Sequence, residues 1–430
     1  HRLRFLVPEE SAIERDSAVH KDTLVLIVLS FIPSKGEMAK WYWTRIAGVP
    51  YLLRNIINIQ RGGGKKIYLY HSKQIAPLNE LCRLVNDDPR VLNETGCISA
   101  PKDLERVLRS MKNILIVNGS VLHHRLEIQN AISLFTQYTV TDRDEKKERV
   151  SMNNLLSQFD KHEDFNDQWS EKITAISVGE KPVSPLNESI RIQYLSGSKN
   201  TKITTENDFH KEHMRIMKSG GLETDSMINR LFSRSVSRFL TRLAIHTPVS
   251  PNQVTLLSFF LGLISTWFFS QGVYGMNLVG AVILVSSTWI DGVDGELARL
   301  TFRESKMGAK LDITLDCFIN YIVFFSIGVG LTRSSGDNLY AILGLVAVIG
   351  SIISFVFMSS LISESKSPER HDSISMDKRR MIQDKIANRD FIFILFLLAL
   401  IDRTEIFIWL AAIGANAFAF YSLYARRFPK

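Results

Sequence analysis

Only three cysteines occur in the 430 residues, Cys82, Cys97 and Cys317, an odd number with no C-x-x-C pair. That scarcity excludes a disulfide framework and supplies no zinc-binding spacing, and it fits an aqueous portion held in a reducing, cytoplasmic compartment. No internal repeat is evident, and His1 opens the chain with no secretory leader pattern behind it, so the sequence reads as part of a longer chain. The first half also lacks any apolar run of membrane-spanning length. Up to about Met227, charged and apolar residues mix as in a water-exposed domain, whereas from Asn252 onward long apolar runs dominate. The formal charge of +8 does not imply nucleic acid, because the basic residues of the second half cluster beside apolar runs. Anionic headgroups and substrate phosphates are the natural partners there.

Six apolar segments can be drawn, roughly 252–271, 276–297, 311–331, 339–362, 388–401 and 405–424. The fifth is short and needs a polar upstream turn to span. Charge placement supports the count: Arg230, Arg234, Arg238 and Arg242 precede the first segment, and Arg299, Arg303, Lys306 and Lys310 lie between the second and third. Lys366, Arg370, Lys378, Arg379, Arg380, Lys385 and Arg389 separate the fourth and fifth, and Arg426, Arg427 and Lys430 follow the sixth. The opposite loops hold only Arg333 and Arg403, so the positive-inside rule puts the aqueous domain and both termini in the cytoplasm of a multi-pass cell-membrane protein. Ile228, Phe232, Val236, Phe239, Leu240 and Leu243 recur at helical spacing across 226–245, predicting an amphipathic helix on the membrane surface.

The aqueous portion predicts an α/β domain with a mostly parallel sheet, from apolar, β-branched stretches at 23–29, 67–70, 114–117 and 173–178 separated by helical patterns. A charged segment, 141–169, is expected to be helical, and 196–221 reads as a polar linker. The expected division is therefore an α/β domain over 1–198, a linker over 199–225, and a membrane domain over 226–430.

Against this background, acidic residues at the second and third apolar segments demand an account. Asp291 and Asp294 are i and i+3, and Asp312 and Asp316 are i and i+4, so each pair shares one helix face. A carboxylate at the centre of a bilayer costs about 2.5 to 3.5 kcal/mol, and something must offset that. If the two helices are neighbours, the four carboxylates converge on one cleft, and an all-oxygen set selects a hard cation, Mg²⁺, Mn²⁺ or Ca²⁺, rather than zinc, with two ions expected and Mg²⁺ or Mn²⁺ favoured. Gly292, Gly295, Ala298 and Gly308 leave the same helix surfaces bare.

The full spacing, Asp291-x2-Asp294-Gly295-x2-Ala298-Arg299-x8-Gly308-x3-Asp312-x3-Asp316, resembles the signature of the CDP-alcohol phosphotransferase family. The resemblance implies an enzyme that passes a phosphoalcohol from a CDP-alcohol to a hydroxyl acceptor and releases CMP. It implies Asp291, Asp294 and Asp312 as principal metal ligands, with Asp316 as general base able to share a metal. Arg299, Gly295, Ala298 and Gly308 are implied to hold the cytidine diphosphate, and Asn252 to border it. Lys306, Lys310, Arg379, Arg380 and Arg389 are placed for an anionic acceptor or headgroup, although positive-inside charge explains them equally well. Homodimerisation is likewise an implication of the family.

The segment Ala47-Gly48-Val49-Pro50-Tyr51-Leu52-Leu53-Arg54 and the strand after it resemble the cytidylyltransferase half of bifunctional inositol-phosphate enzymes. Here Ser30 to Gly36 lacks the G-x-G-x-R arrangement, and Ser120 stands where an aspartate would end a central strand, so a degenerate domain is expected. Lys40, Asp87 or Asp88 could compensate. The resemblance favours an inositol-phosphate-like acceptor. Rival readings are a phospholipid synthase using CDP-diacylglycerol or another CDP-lipid, a divalent-cation transporter, and an inactive scaffold.

Overall fold

The computed structural model describes residues 23–29, 37–71, 75–137, 150–151, 174–177, 189–197, 201–219, 234–364 and 391–427. The chain divides into two compact units, 1–216 and 217–430.

The strands of the first unit are β1 (Thr23–Val28), β2 (Arg45–Ile46), β3 (Val49–Pro50), β4 (Lys66–Tyr70), β5 (Thr95–Ile98), β6 (Asn113–Asn118), β7 (Val150–Ser151), β8 (Thr174–Ser177) and β9 (Ser189–Leu195). Seven of them form one sheet in the order β5-β4-β1-β6-β9-β8-β7. From β5 to β9 the neighbours run parallel, and β8 turns antiparallel against β9. Every residue of β1 and β6 is buried, which is why both read as unbroken apolar runs: a parallel strand covered on both faces has no solvent side to alternate with. All four strands expected from sequence are present. Helices α1 (Met38–Tyr42), α2 (Tyr51–Arg61), α3 (Ile75–Asn86), α4 (Pro101–Arg109) and α5 (Arg125–Gln137) connect them. The β2-β3 hairpin turns through Ala47 and Gly48, both at positive φ. The buried Arg54 guanidinium holds that turn by donating to the carbonyls of Ile46 and Ala47, at 3.0 and 3.1 Å, and burial followed by the charge of Arg90 lowers its pKa to about 9.

Two expectations are corrected here. Cys82 on α3 and Cys97 on β5 form a disulfide, although no pairing was expected. The residues are 15 apart in sequence, and the α3-to-β5 return brings the helix against the sheet edge, a proximity no cysteine spacing announces. Within the stretch read as a polar linker, Glu206–Ser219 is a helix, α6. Phe209 on it meets the ring of Trp41 at 4.8 Å between centroids, and Ile203 just before it is fully buried. The polar composition there belongs to the outer face of a packed helix. The charged segment expected to be helical lies almost wholly outside the described residues, and the part described, Val150–Ser151, is strand.

The second unit is helical: α7 (Arg234–Ala244), α8 (Pro251–Phe269), α9 (Tyr274–Thr301), α10 (Lys306–Ser335), α11 (Leu339–Glu364), α12 (Phe391–Leu400) and α13 (Thr404–Arg427). Among the described residues, five helices, α8 to α11 and α13, are long and apolar enough to cross a membrane, as in a multi-pass membrane protein. The fifth expected segment appears as α12, whose 10 described residues are too few to cross the roughly 30 Å hydrocarbon layer; the upstream turn that would extend it lies outside the described residues. The core joins Phe269, Ala281, Leu284, Ile319, Val323, Phe324, Ala347, Leu395 and Ile408. Close approach is set by glycine: a Cβ on Gly328 would stand 2.7 Å from the carbonyl oxygen of Tyr340, so α10 and α11 touch backbone to backbone. Helix α7 covers the second half of the expected surface helix. It turns Ser237 and Thr241 inward while Phe239 and Leu243 stay exposed.

Candidate active site

Entry to the site is set at the start of α8. Ser250 caps the helix, its Oγ accepting from the Gln253 amide while the Gln253 side chain accepts from the Ser250 amide, and Pro251 occupies the first helical position. This fixes where Asn252, Thr255 and Ser258 face. Helix α9 runs beside α8, and its acidic pair meets them: Thr255 donates to Asp294 Oδ2, and Ser258 donates to Asp291 Oδ1 at 3.2 Å. The Ser258 carbonyl in turn accepts from Ser287 Oγ of α9 at 2.8 Å.

Asp312 completes the centre from α10. One carboxylate oxygen from each of Asp291, Asp294 and Asp312 lies within 4.8 Å of the others. Two metal–oxygen bonds of about 2.0–2.6 Å span a similar distance, and the donors are all carboxylate, so the set fits a hard divalent cation. Asp294 is buried, and Asp291 and Asp312 are half-buried. Asp316, one turn further along α10, is half-buried and is not part of this group. The structure thus brings three of the four predicted carboxylates together.

The motif's small residues surround that centre without packing helix backbone. A Cβ on Gly295 would meet only the Arg299 guanidinium, 3.3 Å from Nη1, so Arg299 folds back over Gly295. At Gly308 a Cβ would stand 2.9 Å from Ser305 Oγ and 3.0 Å from Asn252 Oδ1, which makes Asn252 and Gly308 neighbours across two helices. Ser305 caps α10 by accepting from the Gly308 amide at 2.9 Å. Ala298 is half-buried on the same stretch of α9, while Lys306 and Lys310 are exposed at the start of α10. Arg379, Arg380 and Arg389 lie outside the described residues.

Sequence reasoning missed three contributors. Thr255 and Ser258 repeat at i, i+3 opposite acids that repeat at i, i+3, a pattern visible once the two helices are paired. Glu296, buried on α9, accepts from Thr241 Oγ1 of α7 at 2.8 Å, and Ser237 of α7 packs 3.5 Å from the Cβ position of Gly292. The surface helix is therefore seated on the helix that carries the motif.

In the first unit, Ser120 follows β6 and is buried, with its Oγ making no hydrogen bond in the described structure. Asp88 is held by Arg90, whose Nη2 lies 2.7 Å from Oδ2. The glycine-poor segment from Ser30 to Gly36 lies outside the described residues.

Residues 248–417 match the family model described as CDP-alcohol phosphatidyltransferase. The chain is 28% identical over 170 residues to a bifunctional IPC transferase and DIPP synthase of Archaeoglobus fulgidus, the match covering 38% of this chain and 34% of that one. It is 31% identical over 159 residues to a protein of the same name from Rubrobacter xylanophilus, covering 37% and 35%. A match to the archaetidylinositol phosphate synthase of Pyrococcus horikoshii is 34% identical over 83 residues, covering 19% and 42%. The matches to the two bifunctional relatives thus span only 34% and 35% of their length. Among solved structures, phosphatidylinositol phosphate synthase of Mycobacterium tuberculosis with CDP-DAG bound aligns over 44% of this chain and 92% of that one at 20% identity, with a TM-score of 0.33. A complete acidic motif, three of its carboxylates gathered between two helices, and the match to the CDP-alcohol phosphatidyltransferase family model all fall within residues 248–417.

Proposed function

We propose that the protein is a multi-pass membrane phosphotransferase that moves a phosphoalcohol from a CDP-alcohol to a hydroxyl acceptor, with CMP as the leaving group. The observation that carries this is the gathering of Asp291, Asp294 and Asp312 within 4.8 Å from neighbouring helices. Those three residues would hold a divalent cation, Mg²⁺ or Mn²⁺. Bound there, the cation supplies charge neutralisation to the donor pyrophosphate, the main requirement of an in-line phosphoryl displacement.

The chain's own residues do the rest. Arg299, folded over Gly295, offers a guanidinium fork to the diphosphate, and the bare surface of Gly295, Ala298 and Gly308 lets the nucleotide lie against backbone. Asn252, beside Gly308, supplies a carboxamide at the nucleotide's edge. Asp316, one turn beyond Asp312 on α10, is assigned the general base that takes the acceptor hydroxyl proton by position, and it can share a second ion. Lys306 and Lys310, both exposed at the start of α10, suit a phosphorylated polyol acceptor; Arg379, Arg380 and Arg389 are assigned the same role from sequence. The acceptor class is proposed as inositol-phosphate-like, a reading supported by two relatives named archaetidylinositol phosphate synthase. Mg²⁺ or Mn²⁺ in two copies, a homodimer, and cytoplasmic placement of the aqueous unit and both termini complete the proposal. In the first unit the buried neutral Ser120 at a strand end supports a cytidylyltransferase-like domain that has lost its metal ligand and serves stability or assembly.

The test incubates purified protein with CDP-inositol, CDP-glycerol or CDP-diacylglycerol, each with inositol phosphate or inositol and Mg²⁺ or Mn²⁺, and measures CMP. Release with a soluble CDP-alcohol and inositol phosphate supports the proposal. Release with CDP-diacylglycerol alone moves the assignment to a phospholipid synthase, the reading favoured by the synthase relatives, and no release from any donor refutes the transferase.

A further inference from the structure

The acids of α9 do not meet α8 at random points. Thr255 faces Asp294 and Ser258 faces Asp291, so a step of three residues forward along α8 matches a step of three back along α9. Ser287, one turn further back on α9, continues the ladder by donating to the Ser258 carbonyl at 2.8 Å. The inner members are buried: Thr255 is 4% exposed, Ser258 3%, Ser287 4% and Asp294 7%. Each hydroxyl has one proton and two acceptors in reach. For Thr255 these are Asp294 Oδ2 and the Pro251 carbonyl at 3.2 Å; for Ser258 they are Asp291 Oδ1 at 3.2 Å and the Thr255 carbonyl at 2.8 Å.

We propose that Thr255, assisted by Ser258, is a positioning residue that fixes which carboxylate oxygens of Asp294 and Asp291 face the divalent cation. The inference rests on the metal-holding role assigned above to those aspartates. A carboxylate that accepts a hydrogen bond on one oxygen is held in one rotamer with the other oxygen directed elsewhere, and such outer partners of metal ligands commonly tune affinity 10- to 100-fold. Here the donated oxygens are Asp294 Oδ2 and Asp291 Oδ1, and holding them fixes how each carboxylate is presented to the group it forms with Asp312. Thr255 is the stronger of the two, because Ser258 lies nearer its own helix carbonyl and shares its proton with it. The Ser250 cap and Pro251, by fixing the start of α8, set the register of the whole ladder.

The experiment titrates Mn²⁺ into the full chain in detergent, stripped of metal and without nucleotide, and follows free Mn²⁺ by electron paramagnetic resonance. Thr255→Val keeps the volume and removes the donor, and is expected to weaken Mn²⁺ binding about 10- to 100-fold. Thr255→Ser restores the donor and should restore affinity, a rescue that a purely packing role would not give, since serine lacks the methyl. Ser258→Ala should weaken binding less, and it serves as the second probe should Thr255→Val fail to fold. Wild-type affinity in folded Thr255→Val, with binding still lost in Asp294→Asn, overturns the positioning role alone. Absence of saturable Mn²⁺ binding in the wild-type protein, or binding indifferent to Asp294→Asn, overturns the metal site itself and this inference with it.

Discussion

Gly308 and Gly328 offer a paired perturbation that separates catalysis from packing. A methyl at Gly308 would meet only the ends of two side chains, Ser305 Oγ at 2.9 Å and Asn252 Oδ1 at 3.0 Å, and both residues are exposed and can swing aside. Disturbing the Ser305 cap costs about 1 kcal/mol, and replacing a helical glycine by alanine returns about 0.5–1 kcal/mol, so Gly308→Ala should leave stability nearly unchanged. It displaces Asn252 and fills the surface on which the nucleotide is proposed to lie, however, and a misplacement near 1 Å lowers turnover roughly 100-fold, about 2.7 kcal/mol of barrier. At Gly328 the same methyl would press on backbone, 2.7 Å from the Tyr340 carbonyl oxygen and 3.2 Å from the Cα of Gly344. Neither can rotate away, so α10 and α11 must separate at a cost of about 1–3 kcal/mol, while the site is left intact. The assay is CMP release alongside thermal unfolding of the detergent-solubilised chain: Gly308→Ala should be stable and nearly inactive, Gly328→Ala active below a lowered melting temperature. Full activity in Gly308→Ala, or a loss of activity that only follows its unfolding, would refute the reasoning.

Other expectations follow from single contacts. Asp316→Asn should abolish CMP release while Mn²⁺ affinity stays near wild type, because Asp316 lies outside the three-carboxylate group; a parallel loss of Mn²⁺ binding by calorimetry would make it a ligand instead. His123 is fully buried, and its pKa is lowered chiefly by burial, against the opposing influence of the Asn118 carbonyl. The unfolded chain therefore takes up this proton first, and the stability present above about pH 6.5 should fall on acidification by up to ~1.4 kcal/mol per pH unit. A pH-independent melting temperature of the first unit across that range, or the same slope in His123→Gln, would contradict this. Closing a 15-residue separation, the Cys82–Cys97 bond should contribute about 3 kcal/mol, so reduction or Cys82→Ser lowers the melting temperature of the first unit; non-reducing peptide mapping that finds both thiols free would remove the bond from the account.

What could be read from sequence divides along physical lines. Strands β1 and β6 were legible because burial on both faces leaves no polar residue to blur the run. Strand β5, with Gly96 and Cys97 among its four residues, has neither alternation nor bulk and was missed, and with it the disulfide. Helix α6 reads as linker in the sequence because Glu206, Asp208, Lys211 and Arg215 dominate its composition, while the few residues that seat it, such as Phe209, are too sparse to mark a stripe. The acidic motif was legible in full because a charge in an apolar segment needs a reason. Thr255 and Ser258 were silent because small hydroxyl residues are ordinary in such helices, and only the antiparallel pairing of α8 with α9 gives them partners. Asp316 lies about 6 Å beyond Asp312 along the same face of α10, so its place outside the three-carboxylate group reflects distance along the helix and where α9 crosses it.

Central to everything above is joint action by carboxylates on different helices. The most direct measurement strips divalent metal from the purified chain, returns Mg²⁺ or Mn²⁺, and follows CMP release in the wild type, Asp294→Asn and Asp312→Asn. Activity lost on chelation, regained on readdition in the wild type, and regained in neither variant is the predicted result. Metal-restored turnover in either variant at the wild-type rate, or turnover indifferent to chelation, would contradict a shared centre.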